Sequence, residues 1–153
     1  MRSFHDLYHQ QLEYNVERSQ YIGNFKRNPY SYLKARYYMF FSTTIVYFLQ
    51  NTAIHPNSIT KLYIICGFLS AGLLAIPVKE AHIFAIFLIF SKGILDWADG
   101  FLARIKEKTS LTGHVLDVYG AVIHSLTFVV SLGIYEYFYF DENVFFLMAL
   151  FIY

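Results

Sequence analysis

From Ile59 to Val78 the chain carries one charged residue, Lys61. A run of that length meets the roughly 20 apolar residues that an α-helix needs to cross the hydrocarbon core of a bilayer. Two more spans are expected, over 81–100 and 113–138: the apolar part of the first runs from 81 to 95 with Lys92 near its end, and the second holds Asp117 near its start and Glu136 near its end. Composition agrees with lipid as the solvent. Charged residues make up 15% of the chain and hydrophobic ones 56%, whereas ordinary globular domains carry about 25% charged residues. In hydrocarbon a helix satisfies its own backbone. The expected fold class is therefore an all-α integral membrane protein, a transmembrane helix bundle.

Several function classes fall away at once. A net charge of +1 and the lack of a basic stripe argue for no nucleic-acid partner. The one cysteine, Cys66, lies inside an apolar run, so it builds no disulfide framework and no thiolate metal site. The first thirty residues are polar and rich in tyrosine, unlike a cleavable signal peptide.

Residues 1–30 read as a cytoplasmic N-terminal extension with one short helix over 5–20, ended by Gly23 and Pro29. His5 and His9 are four apart on it but have no further ligand, which leaves them a solvated surface pair. The membrane domain is expected over 31–153. Its opening segment, 31–54, holds an apolar stretch from Tyr37 to Leu49 that is too short to span. Lys34 and Arg36 precede that stretch, and Ser42, Thr43, Thr44, Gln50 and Asn51 interrupt or follow it. An interfacial amphipathic helix, with tyrosines at headgroup depth, fits this pattern. Pro56 breaks the chain after His55, and Asn57 or Ser58 is expected to cap the first span, 59–78. Arg104, Lys106, Glu107 and Lys108 form a polar connection between the later spans. The apolar run 144–153 is only part of a span, to be completed by further chain or by a partner. Six Lys and Arg residues lie in the first 36, and three more in the connection after Asp99, against Lys79 alone on the other side. The positive-inside rule thus turns the N-terminus and the polar connection to the cytoplasm of a multi-pass protein.

At that cytoplasmic boundary stand Asp96, Asp99 and Asp117. Carboxylates beside membrane helices are costly unless something pairs with them. Asp96 and Asp99 are three apart and share one helical face, and Asp117 opens the next span one turn after Gly113. Lys92 is the i,i+4 partner expected for Asp96. Divalent cations would neutralise the rest, because hard cations take carboxylate oxygens and share them with phosphates. Gly100 and Gly113 allow close approach of a ligand, and Arg104 offers a bidentate fork to a phosphate or carboxylate.

The register D-x2-D-G-x2-A-R-x8-G-x3-D, carried by Asp96, Asp99, Gly100, Ala103, Arg104, Gly113 and Asp117, resembles the signature of the CDP-alcohol phosphotransferase family of integral membrane enzymes. Pro56, Asn57, Ile59 and Thr60 resemble the element that opens that family's first membrane helix, and the aromatic segment before them resembles its interfacial helix. The resemblance implies transfer of a phosphoalcohol group from a CDP-alcohol to a hydroxyl acceptor, lipid or polar alcohol, with release of CMP, in phospholipid biosynthesis. It also implies Mg2+ or Mn2+ on Asp96, Asp99 and Asp117, and cytidine diphosphate against Gly100, Ala103 and Gly113. Arg104 would serve the phosphate or acceptor side, and Asn57 the substrate site. Membrane lipids surround such enzymes, and a homodimer is their common state.

One motif position departs from the pattern. The family's fourth aspartate, assigned as the base that activates the acceptor hydroxyl, falls on Ala121, which can take no proton. His124, three residues on, is the candidate substitute base, and its structural alternative is a histidine hydrogen-bonded between helices. Two readings follow: an active transferase, or a family member that binds CDP-alcohol or lipid without turning it over. A third, an unrelated helical protein whose aspartates only anchor helix ends, leaves the matched register without a reason.

Overall fold

Three of the first four helices begin where the sequence supplies a side-chain cap. In α1 (Phe4–Arg18) the Ser3 hydroxyl accepts the Asp6 N–H (3.1 Å) and the Asp6 carboxylate accepts the Ser3 N–H (3.3 Å). This reciprocal pair satisfies two donors that the helix start would leave open. The Ser3 hydroxyl and N–H together hold the Asp6 carboxyl below its usual range. A single turn, α2 (Gln20–Gly23), follows. Asn28 caps α3 (Pro29–Leu49) by accepting the Ser31 N–H at 2.9 Å, with Pro29 in the first helical position. Before α4 (Pro56–Ala75) the cap differs from expectation. The His55 imidazole Nδ1 accepts the Asn57 N–H at 3.2 Å. Pro56 takes the first helical position, so Asn57 and Ser58 already lie inside the helix.

The structure, a computed structural model, describes residues 2–140, and among these no strand occurs. The two remaining helices are α5 (Lys79–Ile105) and α6 (Leu111–Phe140). Among the described residues, three helices, α4, α5 and α6, are long and apolar enough to cross a membrane. They correspond to the spans expected over 59–78, 81–100 and 113–138; the partial span 144–153 lies outside the described residues. The second span runs further than expected, which puts Arg104 on α5 and not in the connection. Its end is set by the backbone. The Lys108 N–H donates to the Ala103 carbonyl (2.9 Å) and the Glu107 N–H to that of Arg104 (3.3 Å), with Glu107 left-handed at φ 54°. That is the Schellman pattern, closed here by glutamate and not glycine.

Contacts divide the chain into two units: residues up to Ile59 with Ile94–Ser110, and Thr60–Gly93 with the residues from Leu111 onward. In the first, Leu7, Val46, Ile59, Ala98, Phe101 and Leu102 form the buried core. Helix α1 lies on α3 through a polar core pair. Buried Gln11 accepts from the Thr43 hydroxyl (2.6 Å) and donates to that of Ser42 (3.0 Å), so a buried amide is paired and not stranded. The Lys106 ammonium donates to the carbonyls of Thr52 and Ile54, both at 2.8 Å, and ties the segment before α4 to the end of α5.

The amphipathic division expected of 31–54 is not seen in α3. Its buried stripe is Ala35, Met39, Ser42, Thr43 and Val46, whereas Tyr30, Leu33, Phe40 and Phe48 are exposed. The hydroxyls turn inward because Gln11 is there to receive them.

In the second unit α4 buries Tyr63, Ser70 and Ala71 and leaves Ile65, Phe68 and Leu69 exposed. Small residues let helices approach where lipid gives no hydrophobic drive. A Cβ on Gly120 would stand 2.6 Å from Ile64 Cγ1, and one on Gly67 2.7 Å from His124 Nδ1. Both glycines are notches that a neighbouring side chain fills.

Candidate functional site

Helix α5 carries two chemistries on two sides. At 100° per residue, Leu95, Ala98, Phe101, Leu102 and Ile105 fall on one side, and these are the residues that pack in the first unit's core. Asp96, Asp99, Gly100, Ala103 and Arg104 fall on the other. The core stripe therefore fixes the rotation of the helix and, with it, the aim of the polar stripe. Asp99 lies at the border and is 6% exposed, accepting the Gly100 N–H on Oδ1.

Gly100 is not needed for packing. A Cβ there would meet a single neighbour, Nη1 of Arg104, at an ordinary 3.6 Å. The missing side chain leaves open the space beside the guanidinium, as the close approach of a ligand requires. Arg104 itself lies over the ring of Tyr14 from α1, 4.0 Å from the centroid, with Phe101 at 5.7 Å. Between the two aspartates, Trp97 packs on Tyr38 of α3 with ring centroids 5.8 Å apart. Burial pushes the Tyr38 phenol above its usual range, with Tyr30, Tyr37 and the charge of Asp96 adding to the rise.

In the second unit, Asp117 sits in the second turn of α6. The phenol of Tyr63 on α4 donates to Asp117 Oδ1 and reaches the Asp117 carbonyl at 3.1 Å. Tyr63 is fully buried, and the Lys92 ammonium stands 5.3 Å from its ring centroid. Lys92, expected as the partner of Asp96, lies against the ring that holds Asp117. Gly113, Asp117, Gly120 and His124 form one stripe of α6, with Ala121 at its edge and exposed. The His124 ring fills the Gly67 notch, and its Nδ1 is buried without a hydrogen-bond partner. Asn57 is half-buried in the first turn of α4.

Among the described residues no three His, Cys, Asp or Glu side chains gather as a metal-holding group. Asp96 and Asp99 belong to the first unit and Asp117 to the second. Each of the three is a carboxylate, a ligand type that suits a hard divalent cation over a softer metal. Tyr14, which touches Arg104, and Tyr63, which holds Asp117, are not singled out by the sequence. Tyr63 is 54 positions from Asp117, a separation at which no periodicity signals contact.

Residues 53–153 match the CDP-alcohol phosphatidyltransferase family. The chain belongs to that family. No curated protein and no solved structure matches it. The family is one of transferases of phospholipid synthesis. Membership agrees with three apolar helices in placing the chain among membrane proteins. The match begins at residue 53, so α1, α2 and α3 lie before it.

Proposed function

We propose that the protein transfers a phosphoalcohol group from a CDP-alcohol to a hydroxyl acceptor, lipid or polar alcohol, and releases CMP. The acceptor oxygen forms the new bond to the phosphorus that bears the alcohol. The bond from that phosphorus to the bridging oxygen breaks, and CMP leaves with the bridging oxygen. Asp96, Asp99 and Asp117 are the residues that would hold Mg2+ or Mn2+, which when bound offsets the charge of the diphosphate. Arg104 takes phosphoryl oxygens, and Gly100, Ala103 and Gly113 leave room for the nucleotide, with Asn57 on the substrate side. The observation that carries this reading is the family match over a helix side that holds Asp96, Asp99, Gly100, Ala103 and Arg104 in one stripe. In a multi-pass arrangement this stripe faces the cytoplasm, by the lysine and arginine distribution.

The hydroxyl proton needs an acceptor, and His124 is the candidate in place of Ala121. A second reading, binding without turnover, is favoured by the burial of His124 Nδ1 in the Gly67 notch. Magnesium-dependent CMP release from a CDP-alcohol, measured on the detergent-solubilised protein, decides between them. The transferase reading expects release that stops in EDTA and in Asp96→Asn. The binding reading expects calorimetric heat with CDP and magnesium but no CMP, and release gained on Ala121→Asp. Folded protein that gives neither heat nor CMP refutes both.

A further inference from the structure

One stripe of α1 ends at the motif arginine. Leu7, Gln11, Tyr14 and Arg18 follow at i, i+4, i+7 and i+11, so they share one side of the helix. Leu7 enters the core and Gln11 is locked to Ser42 and Thr43, which fixes how α1 is turned. The next residue of the stripe, Tyr14, then brings its ring to the Arg104 guanidinium, whose carbon lies 4.0 Å from the ring centroid. Arg18 stands 5.3 Å from the same ring and donates to its hydroxyl at 2.6 Å. Two guanidinium groups thus share one phenol face system. The charge of Asp99 and a hydrogen bond to Tyr14 also reach Arg104, but one carboxylate beside two guanidinium groups leaves positive charge and further N–H donors for an anionic ligand.

We propose that α1, which precedes the family match, is a working part of the phosphate site. Tyr14 is a positioning residue that holds Arg104 for the phosphoryl oxygens of a nucleoside diphosphate, and Arg18 brings the second positive charge. The inference rests on the reading that Arg104 serves the phosphate side. Tyr38 of α3, packed on Trp97, brings a second residue from before residue 53 against the motif.

The test is calorimetric titration of the full-length solubilised protein with CDP and magnesium. Tyr14→Leu keeps bulk and apolar contact but has no π face, and Tyr14→Phe keeps the face. Tyr14→Leu is expected to weaken CDP binding about tenfold, in the range of a partly desolvated cation–π contact. Tyr14→Phe, which keeps the ring but gives up the hydroxyl that Arg18 bonds, should recover part of the loss, to within about threefold of wild type, and Arg18→Gln should weaken binding about threefold to tenfold. Leu7→Ala loosens α1 without touching Arg104, and at an equal fall in melting temperature it should weaken CDP binding less than Tyr14→Leu. The rate at which phenylglyoxal modifies Arg104, read by mass spectrometry, should rise in Tyr14→Leu and not in Tyr14→Phe. Wild-type affinity in Tyr14→Leu overturns the inference and leaves the family reading intact. So does a Leu7→Ala effect as large as that of Tyr14→Leu. A wild-type protein that binds no CDP removes the family reading and this inference together.

Discussion

Gly100 separates two reasons for which a glycine is found in a helix. Where a neighbour fills the space, as at Gly67 and Gly120, a methyl group collides within the protein. At Gly100 a Cβ touches only Arg104 Nη1 at 3.6 Å, so the protein itself does not require the vacancy. Alanine is favoured over glycine in a helix interior by about 1 kcal/mol. Gly100→Ala is therefore expected to raise the melting temperature slightly, while a methyl beside the guanidinium weakens magnesium-dependent CDP binding about tenfold or more. A melting curve and one titration read the two effects apart. A glycine kept for packing would show the reverse, lower stability with unchanged affinity. Tyr63 shows the same economy of position. Its buried phenol finds its acceptor in Asp117, so one hydrogen bond both satisfies a buried hydroxyl and orients a carboxylate.

The helices of the second unit meet through the two notches. His124 enters Gly67 and Ile64 enters Gly120, which lets α4 and α6 approach more closely than side chains on both would permit. Gly67→Ala and Gly120→Ala should each destabilise by about 1–3 kcal/mol, the usual penalty for overpacking. The effect should be larger at Gly120, where both Ile64 Cγ1 and Cδ1 lie under 3 Å, than at Gly67, where an imidazole can rotate away. Thermal unfolding in detergent measures the order, and equal melting temperatures for wild type and Gly120→Ala contradict this packing. The sequence sets the second span over 81–100, but Phe101, Leu102 and Ile105 have a core to fill. Packing of that stripe extends the helix to the Schellman turn, and Ala103 and Arg104 gain fixed positions on it.

Helices α4, α5 and α6 expose large apolar side chains, and lysine and arginine gather in the first 36 residues and after Asp99. Single cysteines, introduced after Cys66→Ser, test the expected topology with a membrane-impermeant thiol reagent. Positions 26 and 108 should label from the cytoplasmic side only, and position 79 from the opposite side only. Labelling of 26 and 108 from opposite sides would rule out the positive-inside arrangement and the site orientation drawn from it.

The sequence by itself determined the helical class, the three apolar spans and the aspartate register, because each rests on patterns shorter than a helix or on fixed motif spacing. It also exposed the missing carboxylate at Ala121. It could not reach the contacts that close over long separations. Gln11 meets Thr43 across 32 positions and Tyr63 meets Asp117 across 54. Which way the hydroxyls of α3 face, which ring underlies Arg104 and what holds Asp117 depend on which helices become neighbours. Periodicity assigns residues to a face of a helix, but only tertiary packing decides what that face meets.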